Sequence, residues 1–215
     1  RADYSRAKDC YEKALASASK AGNIARVAET TLNQATFYLQ RGAYGPCLRR
    51  LPASRRLFEA MGADYTAACG RCNEGFLYLR VGLFEQGRQT LQQALQQMTR
   101  LGRRSGEALA TLLLAWVDVK QGRLSEGRQR VANAVQLYLE LGLSRDAADA
   151  LLDLAELELD EGDIVRFNDA LQQASANFDL RETPDLHARK VFLEARRPMV
   201  TMRNAKRICK PSTRH

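Results

Sequence analysis

Histidine is nearly absent from this chain: there are two in 215 residues, and His215 is the last. His187 has no Cys or Ser partner placed by any motif. A histidine-based metal centre or nucleophile relay therefore has no sequence support. Proline is scarce, at five, and aromatic residues make up only 7%, which argues against a sandwich or barrel. No apolar run approaches the roughly 18 residues of a membrane span. Five cysteines is an odd number in a long chain without a secretory signal pattern. That favours reduced thiols in a cytoplasmic setting over a disulfide framework. Glycine-rich phosphate loops are missing as well. We expect no catalytic activity, no cofactor and no metal.

Acidic residues are absent from one region. Residues 196–215 contain Arg196, Arg197, Arg203, Lys206, Arg207, Lys210 and Arg214 and no acid. Subtracting those seven from the net charge of +8 leaves +1 for the rest. A basic groove for nucleic acid along the body is thus disfavoured. The end segment also lacks aromatics, so it has no platform for stacking bases. With Pro198 and Pro211 in it, residues 198–215 read as a basic, disordered tail.

What is present is a ladder of glycines. Gly22, Gly42, Gly62, Gly82, Gly102, Gly122, Gly142 and Gly162 fall every 20 residues. Each closes an interval with helical periodicity, where a left-handed residue ends a helix. Two kinds of interval alternate, so the true period is 40. The first type covers about 24–40, 64–80, 104–120 and 144–160. It carries Ala28, Ala68, Ala108 and Ala148 in one column and Ala35, Gly75, Ala115 and Ala155 in another. The second type covers about 3–20, 43–61, 84–101, 124–141 and 164–180. Its columns are Tyr11, Leu51, Leu91, Val131 and Leu171, then Ala14, Ser54, Ala94, Ala134 and Ala174. Small residues at fixed helical positions let two helices approach closely, and large ones fill the gaps between pairs. Turns of about three residues make neighbouring helices antiparallel.

This pattern resembles the tetratricopeptide repeat. Ala35, Tyr38, Gly42, Tyr44, Cys47, Leu51 and Ser54 fill the family motif, as do Gly75, Tyr78, Gly82, Phe84, Gly87, Leu91 and Ala94. The third repeat has Ala115, Gly122, Leu124, Gly127, Val131 and Ala134; the fourth has Ala155, Gly162, Ile164, Leu171 and Ala174. Asp118 and Glu158 depart from the motif where the first-helix aromatic belongs. Phe167 stands where a small residue belongs, so the last repeat is expected to pack more loosely. Repeats of 40 look like those of MalT-type signalling ATPases, Rap-type peptide-sensing regulators and some kinase-linked arrays.

The resemblance implies an all-α, right-handed superhelical solenoid of antiparallel helix pairs over residues 1–195. It would comprise a half repeat at 3–20, repeats at 24–61, 64–101, 104–141 and 144–180, and a half repeat at 185–197. The last helix is expected to stop before Pro198. The missing Met and the half repeats lead us to expect a segment of a longer polypeptide.

The resemblance also implies that the first-type helices line a concave groove. That places Asn33, Thr36 and Gln40 there, followed by Cys69, Asn73, Phe76 and Arg80. Leu109, Leu113, Trp116 and Lys120 come next, then Asp149, Asp153, Glu156 and Asp160. Asn33, Asn73, Phe76, Arg80, Leu113, Trp116 and Lys120 are the candidate groove for a peptide or partner helix. Trp116 either anchors such a partner or fills the interior. Phe76→Ala with Trp116→Ala is expected to weaken a partner without unfolding the chain. The four acids on one face suggest a docking stripe for a basic segment, with residues 196–215 as one candidate. Leu32, Cys72, Leu112 and Leu152 stand where chaperone-binding members carry a carboxylate clamp, so a chaperone tail is a poor ligand. Cys69-Gly-Arg-Cys72 is a lone mid-helix pair without the second pair that a zinc site needs. The expected role is protein–protein interaction, either as a scaffold or as the sensing module of a multidomain signalling ATPase, kinase or transcription regulator, with nucleic-acid association through the basic tail as the remaining alternative.

Overall fold

The computed structural model describes residues 2–179 and 183–208, and its contacts divide into two compact units, Arg1–Gly127 and Arg128–His215. Among the described residues the regular elements are all helices. The first unit holds α1 (Ala2–Lys20), α2 (Ile24–Gln40), α3 (Tyr44–Ala60), α4 (Asp64–Arg80), α5 (Phe84–Arg100) and α6 (Arg104–Lys120). It also holds the first turn of α7 (Leu124–Glu140). The second unit holds the rest of α7, then α8 (Ser144–Glu161), α9 (Ile164–Asn177) and α10 (Pro184–Ile208).

The ladder glycines set these boundaries. All eight have positive φ, between 64° and 84°. The residue after each donates its backbone N–H to a carbonyl five residues back, for example Leu83 to Tyr78 at 2.8 Å and Arg103 to Met98 at 2.9 Å. That bond satisfies a carbonyl the helix end would leave bare, and it turns the chain into the next helix.

Within the first unit, consecutive helices pack on each other from α1 to α6. The small-residue columns are where they touch. Ser54 Oγ donates to the Ala28 carbonyl at 2.9 Å, and Cys47 Sγ to the Ala35 carbonyl at 3.3 Å. A Cβ on Gly75 would collide with the Leu91 side chain. One on Gly127 would lie 2.6 Å from Val119 Cγ2 and 3.1 Å from the Ala115 carbonyl oxygen. Ala28, Ala35, Ala68, Ala94, Ala108 and Ala115 are fully buried. In the second unit α8 packs on α9, and α10 lies mainly on α8. Phe167 is wholly buried there, so the bulky residue in the small column is taken into the core.

One boundary differs from the sequence expectation. α10 does not stop before Pro198 but runs through it to Ile208. Proline removes one N–H and crowds the carbonyl four residues earlier, which costs about 3 kcal/mol in a helix interior. Both Glu194 and Pro198 are exposed, so water can serve the freed carbonyl. Residues 198–208 are therefore helical rather than a disordered tail. Residues 209–215 of that expected tail, and 180–182, lie outside the described residues.

Candidate protein-interaction surfaces

In the first unit α4 packs beside both α2 and α6, so residues three or four apart on these helices share a face. Asn33 and Gln40 on α2 are exposed, with Thr36 half-buried between them. On α4, Cys69, Asn73 and Phe76 are half-buried and Arg80 is exposed. On α6, Leu109 and Lys120 are exposed and Trp116 is half-buried. Leu113 differs, being only 8% exposed within the core that joins Cys72, Leu91, Met98, Leu114 and Val117. It supports the face from beneath rather than presenting itself.

Phe76 is a joint. It packs against that core and also against the neighbouring one formed by Tyr38, Leu51 and Leu77. The Arg80 guanidinium lies 6.0 Å from the centre of the Phe76 ring, and its Nε donates to Tyr44 Oη at 3.0 Å. These contacts hold a cation over an aromatic face at the surface. Forty residues on, at the same register on the neighbouring α6, stand half-buried Trp116 and exposed Lys120.

The acidic stripe belongs to the second unit, and α10 already occupies it. Arg189 Nη1 donates to Asp149 Oδ1 at 2.9 Å, while Nη2 bonds Asp153 and lies 3.5 Å from Glu156 Oε2. One turn pair later, Arg196 donates to Glu156 Oε1 at 3.0 Å and to Asp160 Oδ1 at 2.6 Å. Burial works to lower the Arg189 pKa, but Asp153, Asp149 and Glu156 outweigh it and hold the guanidinium charged. Arg196, the first residue of the basic segment 196–215, is thus on the stripe. Behind α10, an open cleft of about 510 Å³ runs along α9, lined by Leu171, Gln172, Ser175, Lys190 and Glu194 among others. Lys190 Nζ and Ser175 Oγ bridge it at 3.0 Å.

The two departures from the repeat motif have a common structural answer. Asp118, 2% exposed, takes Arg88 Nη2 at 2.8 Å and Arg123 Nε at 3.0 Å. Glu158, equally buried, takes Arg128 at two oxygens. Arg88 and Arg128 are 40 residues apart, as are their acids. A third buried acid, Glu74, takes Arg55 Nε at 2.7 Å, and burial raises its pKa against the pull of Arg55. Sequence reasoning missed these pairs. The signal was an arginine recurring 30 residues before each of the out-of-place acids Asp118 and Glu158.

Burial pushes the Cys72 thiol up to about 12 and raises Cys69 as well. Among the described residues no group of three His, Cys, Asp or Glu could hold a metal ion. No helix among them is long and apolar enough to cross a membrane.

No protein-family model and no curated protein matches the sequence. Among solved structures, the fold is similar to that of BtubC (BKLC) from P. vanneervenii, with a TM-score of 0.65 over 95% of each chain. The chain has an all-helical repeat fold. At 14% identity the likeness to BtubC extends to the fold alone.

Proposed function

We propose that this chain is a protein-interaction module of the tetratricopeptide type rather than an enzyme. The face formed by α4 and α6 takes an extended or helical peptide of a protein partner. What carries this reading is that half-buried Phe76 and Trp116, and exposed Arg80 and Lys120, stand at matched positions 40 residues apart on the neighbouring helices α4 and α6, with Arg80 over the Phe76 ring. Aromatic side chains supply large contact area at small entropic cost, and arginine is enriched at binding hot spots. Asn33 and Asn73 offer hydrogen bonds to a peptide backbone on the same face. The two cations favour a ligand that pairs an apolar anchor with an acidic residue.

The test is selection of peptides from a displayed random library against the intact chain. The reading expects ligands that alternate apolar and acidic residues and that lose affinity on Arg80→Glu with Lys120→Glu. Both side chains are exposed, so the variant should keep the helical circular dichroism of the parent. Selected peptides that bind the variant as tightly as the parent would refute the assignment of the face.

A further inference from the structure

The two exposed cations on α4 and α6 are held differently. Arg80 Nε donates to Tyr44 Oη at 3.0 Å, and its guanidinium carbon lies 6.0 Å from the centre of the Phe76 ring. Tyr44 stands 36 residues before Arg80. Phe84 stands the same distance before Lys120 and has no hydroxyl to offer. Lys120 is thus a charge on a flexible stem, while Arg80 is fixed at two points.

Tyr44 is itself well anchored. It opens α3, is half-buried and packs against the core that holds Ala35, Tyr38, Cys47 and Leu51. A ring or an aliphatic chain would serve that packing, because Phe84 and Leu124 fill the same column in the next repeats. The hydroxyl goes beyond what packing requires, and it is spent on Arg80. A guanidinium carries five N–H donors in a planar fork. Tyr44 takes the donor on Nε, and among the described residues no other group accepts from Arg80. Approach to the side of the fork, through Nε and one Nη, is therefore closed to a ligand. The end of the fork, Nη1 and Nη2 together, is left to it. Two parallel donors match the two oxygens of a carboxylate, whereas a carboxamide can accept at one atom only.

We propose that Tyr44 is a positioning residue whose hydroxyl sets Arg80 end-on, so that the α4–α6 face selects a carboxylate over a carboxamide in its peptide. This rests on the binding face proposed above and names what one of its cations recognises. Tyr44 acts through Arg80 and adds no contact of its own, and Lys120 supplies attraction without that selectivity.

The probes are a peptide selected from the displayed library and its counterparts with one acid at a time changed to the amide. Their affinities are measured for the intact parent, Tyr44→Phe, Arg80→Lys and the double variant. At one acid the parent should prefer the carboxylate by about tenfold or more. Tyr44→Phe keeps the ring and every charge, so urea unfolding and affinity for the amide peptide should stay near the parent's. The preference for the acid should fall about threefold or more. Arg80→Lys should lower the preference too, and adding Tyr44→Phe should lower it no further, because no guanidinium remains to be set. A Tyr44→Phe variant that keeps the parent's preference overturns the proposal and leaves the binding face standing. An equal further loss in the Arg80→Lys background also overturns it, since the hydroxyl would then act without Arg80. Peptides that bind Arg80→Glu with Lys120→Glu as tightly as the parent overturn the face and this proposal together.

Discussion

Arg128 grips Glu158 with two bonds, Nε to Oε1 at 2.5 Å and Nη2 to Oε2 at 2.6 Å, in a place where Tyr38 and Tyr78 stand in the earlier repeats. The carboxylate is 2% exposed, so its charge is tolerable only because the planar guanidinium meets it with matched geometry. Forty residues earlier Arg88 Nη2 donates to Asp118 Oδ1 at 2.8 Å, a single bond in the same place. The repeat has thus replaced a buried aromatic ring with a buried ion pair twice.

Removing one partner should be far worse than removing both. Arg128→Ala leaves Glu158 buried and unpaired, and a loss of about 3–5 kcal/mol in unfolding free energy is expected. Arg88→Ala should cost less, because Arg123 still reaches Asp118 at 3.0 Å. The double change Arg88→Leu with Asp118→Tyr copies Leu48 and Tyr78 of the preceding repeats, and Gly127 leaves room as Gly87 does. It should restore stability to within about 1.5 kcal/mol of the parent. Urea unfolding of the three variants checks this. A double variant weaker than Arg88→Ala would show that the pairs do more than fill the tyrosine position.

Glycines of the ladder and glycines of the interface should fail for different reasons. Gly122 has φ of 80° and nothing within 4 Å of where a Cβ would sit, so Gly122→Ala meets only backbone strain, about 1–2 kcal/mol. Gly75 is helical, and Gly75→Ala forces its methyl into Leu91. A further Leu91→Ala should rescue part of the loss at Gly75 and none of the loss at Gly122. Thermal unfolding of the two double variants separates the cases.

The clamp on α10 should respond to salt. Its carboxylates Asp149, Glu156 and Asp160 are about half-exposed, so each pair contributes only about 0.2–1 kcal/mol and is screened. Arg189→Gln with Arg196→Gln should speed amide exchange in residues 184–200 at low salt. The difference from the parent should shrink at high salt. Equal exchange at low salt would mean that buried Leu186 and Leu193 alone seat the helix.

Thiol reactivity should follow burial. Cys10 is exposed, whereas Cys47 and Cys72 are buried and the Cys72 thiol is pushed up to about 12. Near neutral pH Cys10 should be alkylated rapidly, with Cys69 slower and Cys72 protected until the chain unfolds. Peptide mass spectrometry after brief alkylation reads this directly. Rapid labelling of Cys72 would mean that α4 opens readily.

The sequence alone revealed the helices because one residue type solved one problem eight times. A positive φ after each helix needs glycine, so the ladder placed α2 to α8 to within a residue at most of their ends. The small-residue columns showed which faces meet, because close helix approach leaves few choices. The buried ion pairs were hidden, since an acid in an aromatic column reads as a defect until its arginine is found one helix away. The partner of the acidic stripe was sought in the basic end segment, yet Arg189 already lay 40 residues from Asp149. Pro198 suggested a helix end because local rules ignore how cheaply an exposed carbonyl is satisfied by water. The groove was only partly legible. Register named its residues, but whether Leu113 and Phe76 were surface or core depended on packing. Phe76 joins two cores, so Phe76→Ala is expected to cost stability as well as binding.

Peptide binding by the α4–α6 face, as proposed, would cover Trp116, a built-in reporter because it is the only tryptophan. Titrating a library-selected peptide while following Trp116 emission tests it most directly. A saturable blue shift is expected as the indole is covered, lost in Arg80→Glu with Lys120→Glu. Binding detected by calorimetry with no change in Trp116 emission would place the peptide elsewhere and contradict the claim.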